Sequence, residues 1–166
     1  MAIKIIVNDI TTLSIDAIVN AANNTLLGGG GVDGAIHNAA GKELLEECKE
    51  LQGCPTGAAK MTDAYNLPCR KVIHTVGPVW QKDSQDQAAL LENCYVNSFA
   101  LACKNSLETI AFPAISTGVY GYPKSEASFI ALSVAKDHEE NMREIIFCCF
   151  SDEDAEIYQS NYIALN

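Results

Sequence analysis

Gly28, Gly29, Gly30 and Gly31, followed by Val32, Asp33 and Gly34 and then by Ala35-Ile36-His37, put four glycines and one carboxylate directly before an alanine-bearing helical pattern. Glycine lets the backbone take φ > 0 and approach a ligand closely, and free N–H groups at a helix start point toward negative charge. The combination reads as an anion cradle with an acid beside it, and a phosphate is the expected occupant. No Lys-Ser or Lys-Thr follows the glycines, so the loop lacks the ammonium that reaches a γ-phosphate and the hydroxyl that holds Mg²⁺. Phosphoryl transfer from a triphosphate is therefore not expected. A second stretch, Phe112 to Pro123, also follows a strand pattern and precedes a helical one, with no Lys or Arg before Lys124. It offers N–H groups, the Ser116 and Thr117 hydroxyls, and the close approach allowed by Gly118 and Gly121. Two such loops could clamp one diphosphate by dipoles alone.

Strands and helices must carry these loops. Ile3 to Val7 and Ala17 to Asn20 read as buried strands, and further strand patterns lie at Lys60 to Tyr65, Val72 to Val76, Thr109 to Phe112 and Glu144 to Phe150. Ile36, Ala40, Leu44, Cys48 and Leu51 fall at helical spacing with a candidate break at Gly41. Further apolar stripes run through Leu91, Cys94, Tyr95, Ser98, Leu101 and Ala102, and through Ala127, Ile130, Ala131 and Val134. Ser151 and Asp154 have capping-box spacing for a last helix toward Leu165. Strands alternating with helices predict an α/β fold, a three-layer α/β/α sandwich on a mixed, largely parallel sheet, with ligands at the carboxyl ends of the strands. The 166 residues contain no internal repeat, linker or low-complexity segment, and read as one domain spanning 1–166.

Composition narrows the partners. The chain carries 21 Asp plus Glu against 11 Lys plus Arg, a field that disfavours DNA and long RNA, whereas a small diphosphate can still be held by N–H dipoles acting at contact. The 7 cysteines form no C-x-x-C pair and mostly sit in apolar patterns, which suggests a reducing, cytoplasmic setting without zinc. No secretory leader or membrane-length apolar run is evident, so no membrane association is expected.

Taken in order, Asn8-Asp9-Ile10, Asn20-Ala21-Ala22-Asn23, the Gly28 to His37 block, Val72-Ile73-His74-Thr75-Val76-Gly77-Pro78 and the Ser116-Thr117-Gly118-Val119-Tyr120-Gly121 core resemble macrodomains of the MacroD type over nearly the whole chain. The resemblance implies binding of ADP-ribose. It also implies hydrolysis of ADP-ribose from acidic side chains of mono-ADP-ribosylated proteins and deacetylation of O-acetyl-ADP-ribose, with neither cofactor nor metal. Residue by residue, it gives Asp9 a hydrogen bond from the adenine amino group, Ile10 a backbone contact to a ring nitrogen, and Phe150 a place against the adenine. It assigns Gly30, Gly31 and Val32, with Ser116, Thr117, Gly118, Val119 and Tyr120, to the diphosphate and distal ribose. Asn23 would orient that ribose, and Asp33 would align or activate the attacking water. Asn8 departs from the family's usual glycine before the Asp-Ile pair, a change of turn geometry more than of chemistry.

Neutral loops suffice for useful affinity. Four charge-assisted hydrogen bonds and one base stack are worth roughly 7–15 kcal/mol gross, and micromolar binding needs about 8.2 kcal/mol net.

Plainer roles compete at each position. Without the resemblance, Asp33 reads first as a helix N-cap, Asn20 and Asn23 as caps of loops or strand ends, and Asp9 as a cap of the turn at Thr11-Thr12-Leu13. Phe150, ending an apolar strand, reads as buried, and Tyr120 could be a core aromatic. His37 and His74 read as packed structural histidines, and Asn20 stays structural even with the resemblance. Two other functions share the pocket: a non-catalytic ADP-ribose reader, marked by binding without turnover, and a phosphatase acting on ADP-ribose-1″-phosphate, marked by phosphate release.

Overall fold

The computed structural model describes residues 2–166. In chain order its elements are β1 (Ile3–Val7), β2 (Ala17–Ala21), α1 (Gly31–Ala40), α2 (Lys42–Glu50), β3 (Ala59–Asp63), β4 (Lys71–Thr75), α3 (Gln87–Lys104), β5 (Thr109–Phe112), α4 (Lys124–Asp137), β6 (Glu144–Cys149) and α5 (Asp152–Leu165). The strands form one sheet in the order β1-β6-β5-β2-β4-β3. All neighbouring pairs are parallel except β3, which runs antiparallel to β4 at one edge.

Alternation along the strands explains the layers. Ala17, Val19, Ile73, Ile110, Phe112, Ile145 and Phe147 pack on one face with α3, α4 and α5. Ile18, Val72, Ala111, Ile146 and Cys148 pack on the other with Ile36, Ala40, Leu44 and Cys48 of α1 and α2. Because successive side chains of a strand point to opposite faces, strands covered on both sides read as continuous apolar runs. The α3–α5 face carries a train of aromatic rings, with Tyr95 and Phe112 5.0 Å apart, Phe112 and Phe147 5.7 Å, and Phe147 and Tyr158 5.3 Å. The opposite face is filled by smaller aliphatic and cysteine side chains.

Gly41 does end α1 and begin α2. Its φ of 92° is readily available to glycine, and a side chain there would meet Asn66 Nδ2 at 2.9 Å. Helix α5 starts as its spacing predicts, with the Ser151 hydroxyl accepting from Asp154 N–H at 3.2 Å and three acidic residues in the first turn. All seven cysteines are free thiols, and only Cys103 is exposed.

Candidate active site

The carboxyl ends of the five parallel strands lie side by side, and the segments that follow them line one edge of the sheet, the candidate cleft. Asp9 and Ile10 follow β1, Phe150 follows β6, residues 113–123 follow β5, Asn23 and the glycine loop follow β2, and Gly77 follows β4. Segments far apart in the chain thus become a row ordered by strand position, with Asp9 and Phe150 at one end and Asn23 and Asp33 at the other.

The glycine loop is held by Asn23. Its Oδ1 accepts from Leu26 N–H at 3.1 Å and from the Thr25 hydroxyl at 2.7 Å, while its Nδ2 donates to the Gly28 carbonyl at 3.0 Å. The loop-capping role weighed from sequence is therefore real, and one amide hydrogen of Asn23 remains for a ligand. Gly30 is the N-cap of α1 without a side-chain cap, so the N–H groups of Gly31, Val32 and Asp33 open the helix unpaired by intrahelical acceptors. Gly34 must be glycine for a second reason: a Cβ there would lie 2.6 Å from the Gly29 carbonyl oxygen, because the loop folds directly onto the helix.

Asp33 is not the N-cap expected from its position; it lies inside the first turn of α1 and is only 4% exposed. Its Oδ1 accepts from Asn20 Nδ2 at 2.8 Å and lies 3.4 Å from His37 Nε2. The other oxygen, Oδ2, turns toward the loop, 3.2 Å from where a Gly29 Cβ would stand. A bare glycine thus leaves room over the carboxylate. Behind it Asn20 meets His74, which is fully buried and whose Nε2 lies 2.9 Å from the Thr62 hydroxyl and 3.9 Å from Cys48 Sγ. Burial, reinforced by His37, holds His74 down at about 3, so it is neutral at any physiological pH. Burial and then the Asp33 charge push the Cys48 thiol up to about 11, which leaves it an unreactive packing group. Asn20 and His74 were read as structural, and their link to Asp33 was missed. The available signal was a polar side chain inside an otherwise apolar strand, which must find a partner when buried.

The second loop turns on Ser116. It adopts φ 68° without being glycine, is 6% exposed, and its hydroxyl has no hydrogen-bond partner among the described residues. Tyr122 N–H donates to its carbonyl at 2.9 Å, Gly121 N–H to Gly118 at 3.0 Å, and Trp80 N–H to Tyr120 at 2.8 Å. Gly77 packs so tightly under the loop that a Cβ would overlap the Ser116 hydroxyl. The N–H groups of Gly118, Val119 and Tyr120 donate to no acceptor among the described residues, and Val119 is fully exposed at the tip. Thr117 spends its hydroxyl on the Ala114 carbonyl at 3.3 Å. Lys124, the first cation after the loop, is paired with Asp154 at 2.7 Å.

At the far end Asp9 caps the 3-10 turn Ile10–Thr12, its Oδ1 accepting from Thr11 N–H at 3.0 Å and from the Thr11 hydroxyl at 2.7 Å. The side chain is nonetheless exposed, and Ile10 is buried beneath it. Phe150 corrects the burial expected of it: its side chain is 76% exposed. The ladder explains why, since β1 pairs Val7 with Cys149 as its last rung and Phe150 falls beyond the sheet.

Among the described residues no group of His, Cys, Asp and Glu side chains is arranged to hold a metal ion, and no helix is long and apolar enough to cross a membrane. The Macro domain family model matches residues 19–131. The O-acetyl-ADP-ribose deacetylase of Escherichia fergusonii is 51% identical over 163 residues, 94% of this chain and 92% of that protein. The ADP-ribose glycohydrolase MACROD1 of Rattus norvegicus is also 51% identical, over 91% of this chain and 60% of its own length. A point variant of the Oceanobacillus iheyensis macrodomain, solved with ADPR, superposes with a TM-score of 0.94 at 45% identity, covering 98% of this chain and 92% of that one. A family match over more than half of the sequence, and relatives of this identity over nearly all of it, establish that the chain belongs to the macrodomain family.

Proposed function

We propose that this chain, acting as one macrodomain over its whole length, hydrolyses the ester that joins ADP-ribose to acidic side chains of proteins and removes the acetyl group of O-acetyl-ADP-ribose. The observation that carries the reading is the state of Asp33: a buried carboxylate pinned at Oδ1 by Asn20, with Oδ2 turned to a glycine loop that opens a helix. The free N–H groups of Gly31 and Val32 from one loop, and of Gly118, Val119 and Tyr120 from the other, suit a diphosphate lying between them, with Gly30 and the Ser116 and Thr117 backbone shaping the walls. The distal ribose then falls at the β2 end, beside the remaining Asn23 amide hydrogen and Asp33 Oδ2. The adenine falls at the β1 end, against exposed Phe150 and the free oxygen of Asp9, with Ile10 N–H beside it.

In that pose Asp33 holds a water in line with the ester at the outer sugar, and the helix-start dipole favours the negative charge that develops there. Water adds to the ester carbonyl, and the sugar oxygen leaves as a hydroxyl after taking a proton. The acyl group departs as a free acid. The relatives named a deacetylase and a glycohydrolase support hydrolysis in this pocket.

Mass spectrometry of an acidic-residue ADP-ribosylated protein incubated with the chain tests the reading. The expected products are free ADP-ribose and an unmodified side chain, absent with Asp33→Ala. Binding of ADP-ribose without release would leave a reader. Release of phosphate from ADP-ribose-1″-phosphate alone would leave a phosphatase.

A further inference from the structure

A row of buried side chains runs from the sheet edge to Asp33, and its hydrogens have only one consistent arrangement. Asn20 and His74 sit on the same rung of the neighbouring strands β2 and β4, and both are fully buried. One atom, Asn20 Nδ2, lies 2.8 Å from Asp33 Oδ1 and 3.0 Å from His74 Nδ1. A carboxylate only accepts, so the Asn20 amide must present its NH₂ group on that side, and His74 Nδ1 must be a bare lone pair. The ring hydrogen therefore belongs on Nε2, where the Thr62 hydroxyl waits at 2.9 Å. Thr62 gives its own hydrogen to the Asp63 carbonyl at 3.0 Å and so has its oxygen available as acceptor. Asn20 Oδ1 is buried with no partner among the described residues, so none of them fixes the amide from the oxygen side. Its orientation is decided entirely by what faces Nδ2.

We propose that His74 is a positioning residue for the hydrolysis: its Nδ1 lone pair, set by Thr62 on the antiparallel edge strand, fixes the polarity of the Asn20 amide and thereby holds Asp33 with Oδ2 toward the glycine loop. This rests on the reading of Asp33 as the residue that places water. His74 does not touch the cleft. A protonated Nδ1 would demand the amide oxygen of Asn20, and that oxygen would then face the Asp33 carboxylate. The carboxylate would have to swing away.

Two substitutions separate positioning from mere packing, because both remove the ring. In His74→Asn the amide oxygen can take the place of Nδ1, keeping the acceptor for Asn20 while losing the donor to Thr62. In His74→Gln the amide nitrogen can take the place of Nε2, keeping that donor while losing the acceptor. The expected result is a kcat on O-acetyl-ADP-ribose that falls about 10-fold to 100-fold further in His74→Gln than in His74→Asn, with KM and ADP-ribose Kd unchanged in both. Equal losses of kcat, or a loss carried by KM, would overturn the proposal. A second measurement needs no turnover: ¹⁵N NMR of the wild-type chain should show His74 neutral from pH 5 to 8, as its burial requires, and as the Nε2–H tautomer, as its contacts with Asn20 and Thr62 require. The Asn20 side-chain amide should resist exchange in the wild type and His74→Asn but not in His74→Gln. An Nδ1–H tautomer or an imidazolium would refute it. If the wild type released no acetate, the hydrolase reading would fall, while the tautomer and amide exchange would still decide where His74 acts.

Discussion

At the β2 end of the cleft, Asp33, Asn20 and His74 are each 4% exposed or less and are joined by hydrogen bonds, whereas at the β1 end Phe150 is 76% exposed and Asp9 bonds only within its own turn. Buried polar groups in a low dielectric are held strongly and are costly to leave unpaired, so the first end is stiff and fixes geometry. An exposed ring on a strand terminus gives surface for stacking and little to the fold. Under the proposed function, that contrast puts the chemistry at the stiff end and the affinity at the exposed one.

That division breaks most visibly with Asp33→Ala. Turnover should fall about 10²-fold to 10⁴-fold, the usual worth of a group that manages the reacting proton, while calorimetry still detects ADP-ribose. Equal losses of binding and turnover would erase the distinction. Next comes acid sensitivity of the stiff end. His74 titrates near 3 when folded against about 6.5 unfolded, so the unfolded chain takes up the proton first as the medium acidifies. The neutral form's advantage is intact above pH 6.5 and is lost progressively toward pH 3. Denaturant titrations between pH 7 and 4 should therefore show a steeper fall for the wild type than for His74→Asn.

Gly34→Ala tests whether the glycine loop belongs to the stiff end. Its new methyl would press on the Gly29 carbonyl, so stability should drop by about 1–3 kcal/mol and turnover with it, as read by denaturation midpoints and rates. Phe150→Ala should do the reverse. Losing one stacking platform is worth about 1–3 kcal/mol of ADP-ribose affinity, with stability unchanged within about 0.5 kcal/mol. Asp9→Asn is the mildest, because the amide oxygen still caps Thr11. A few tenths of a kcal/mol in stability are expected, with a modest loss of affinity for adenine nucleotides measured by calorimetry.

Much of this architecture is legible in the chain, and the departures have local causes. Thr109–Phe112 stands where its apolar run places it, because a strand covered on both faces announces both its ends, and Ile3–Val7 keeps its expected bounds although it is an edge strand in which only Ile3 is buried. The edge strand is read too late: Lys60 to Tyr65 is expected and Ala59–Asp63 is found. Its register comes from pairing with β4, reinforced by the Lys71–Asp63 ion pair, while Tyr65 turns away at φ 54°. Phe150 was misjudged because hydrophobicity does not say where the partner strand stops. The two glycine-bearing loops were visible from composition, yet the Thr62–His74–Asn20–Asp33 row was not. Its steps span 12, 54 and 13 residues, and it takes the β3–β4 and β2–β4 pairings together with α1 packed against β2 to bring its members together.

Neither loop places a lysine or arginine against the expected diphosphate, and Lys124 is committed to Asp154. Peptide dipoles have no proton to lose and gather no counterion cloud that must be released when a ligand arrives. A molecule gripped this way can be carried by a protein of net charge −10 without any compensating basic patch. The surface is then free to keep its excess of 21 Asp plus Glu over 11 Lys plus Arg.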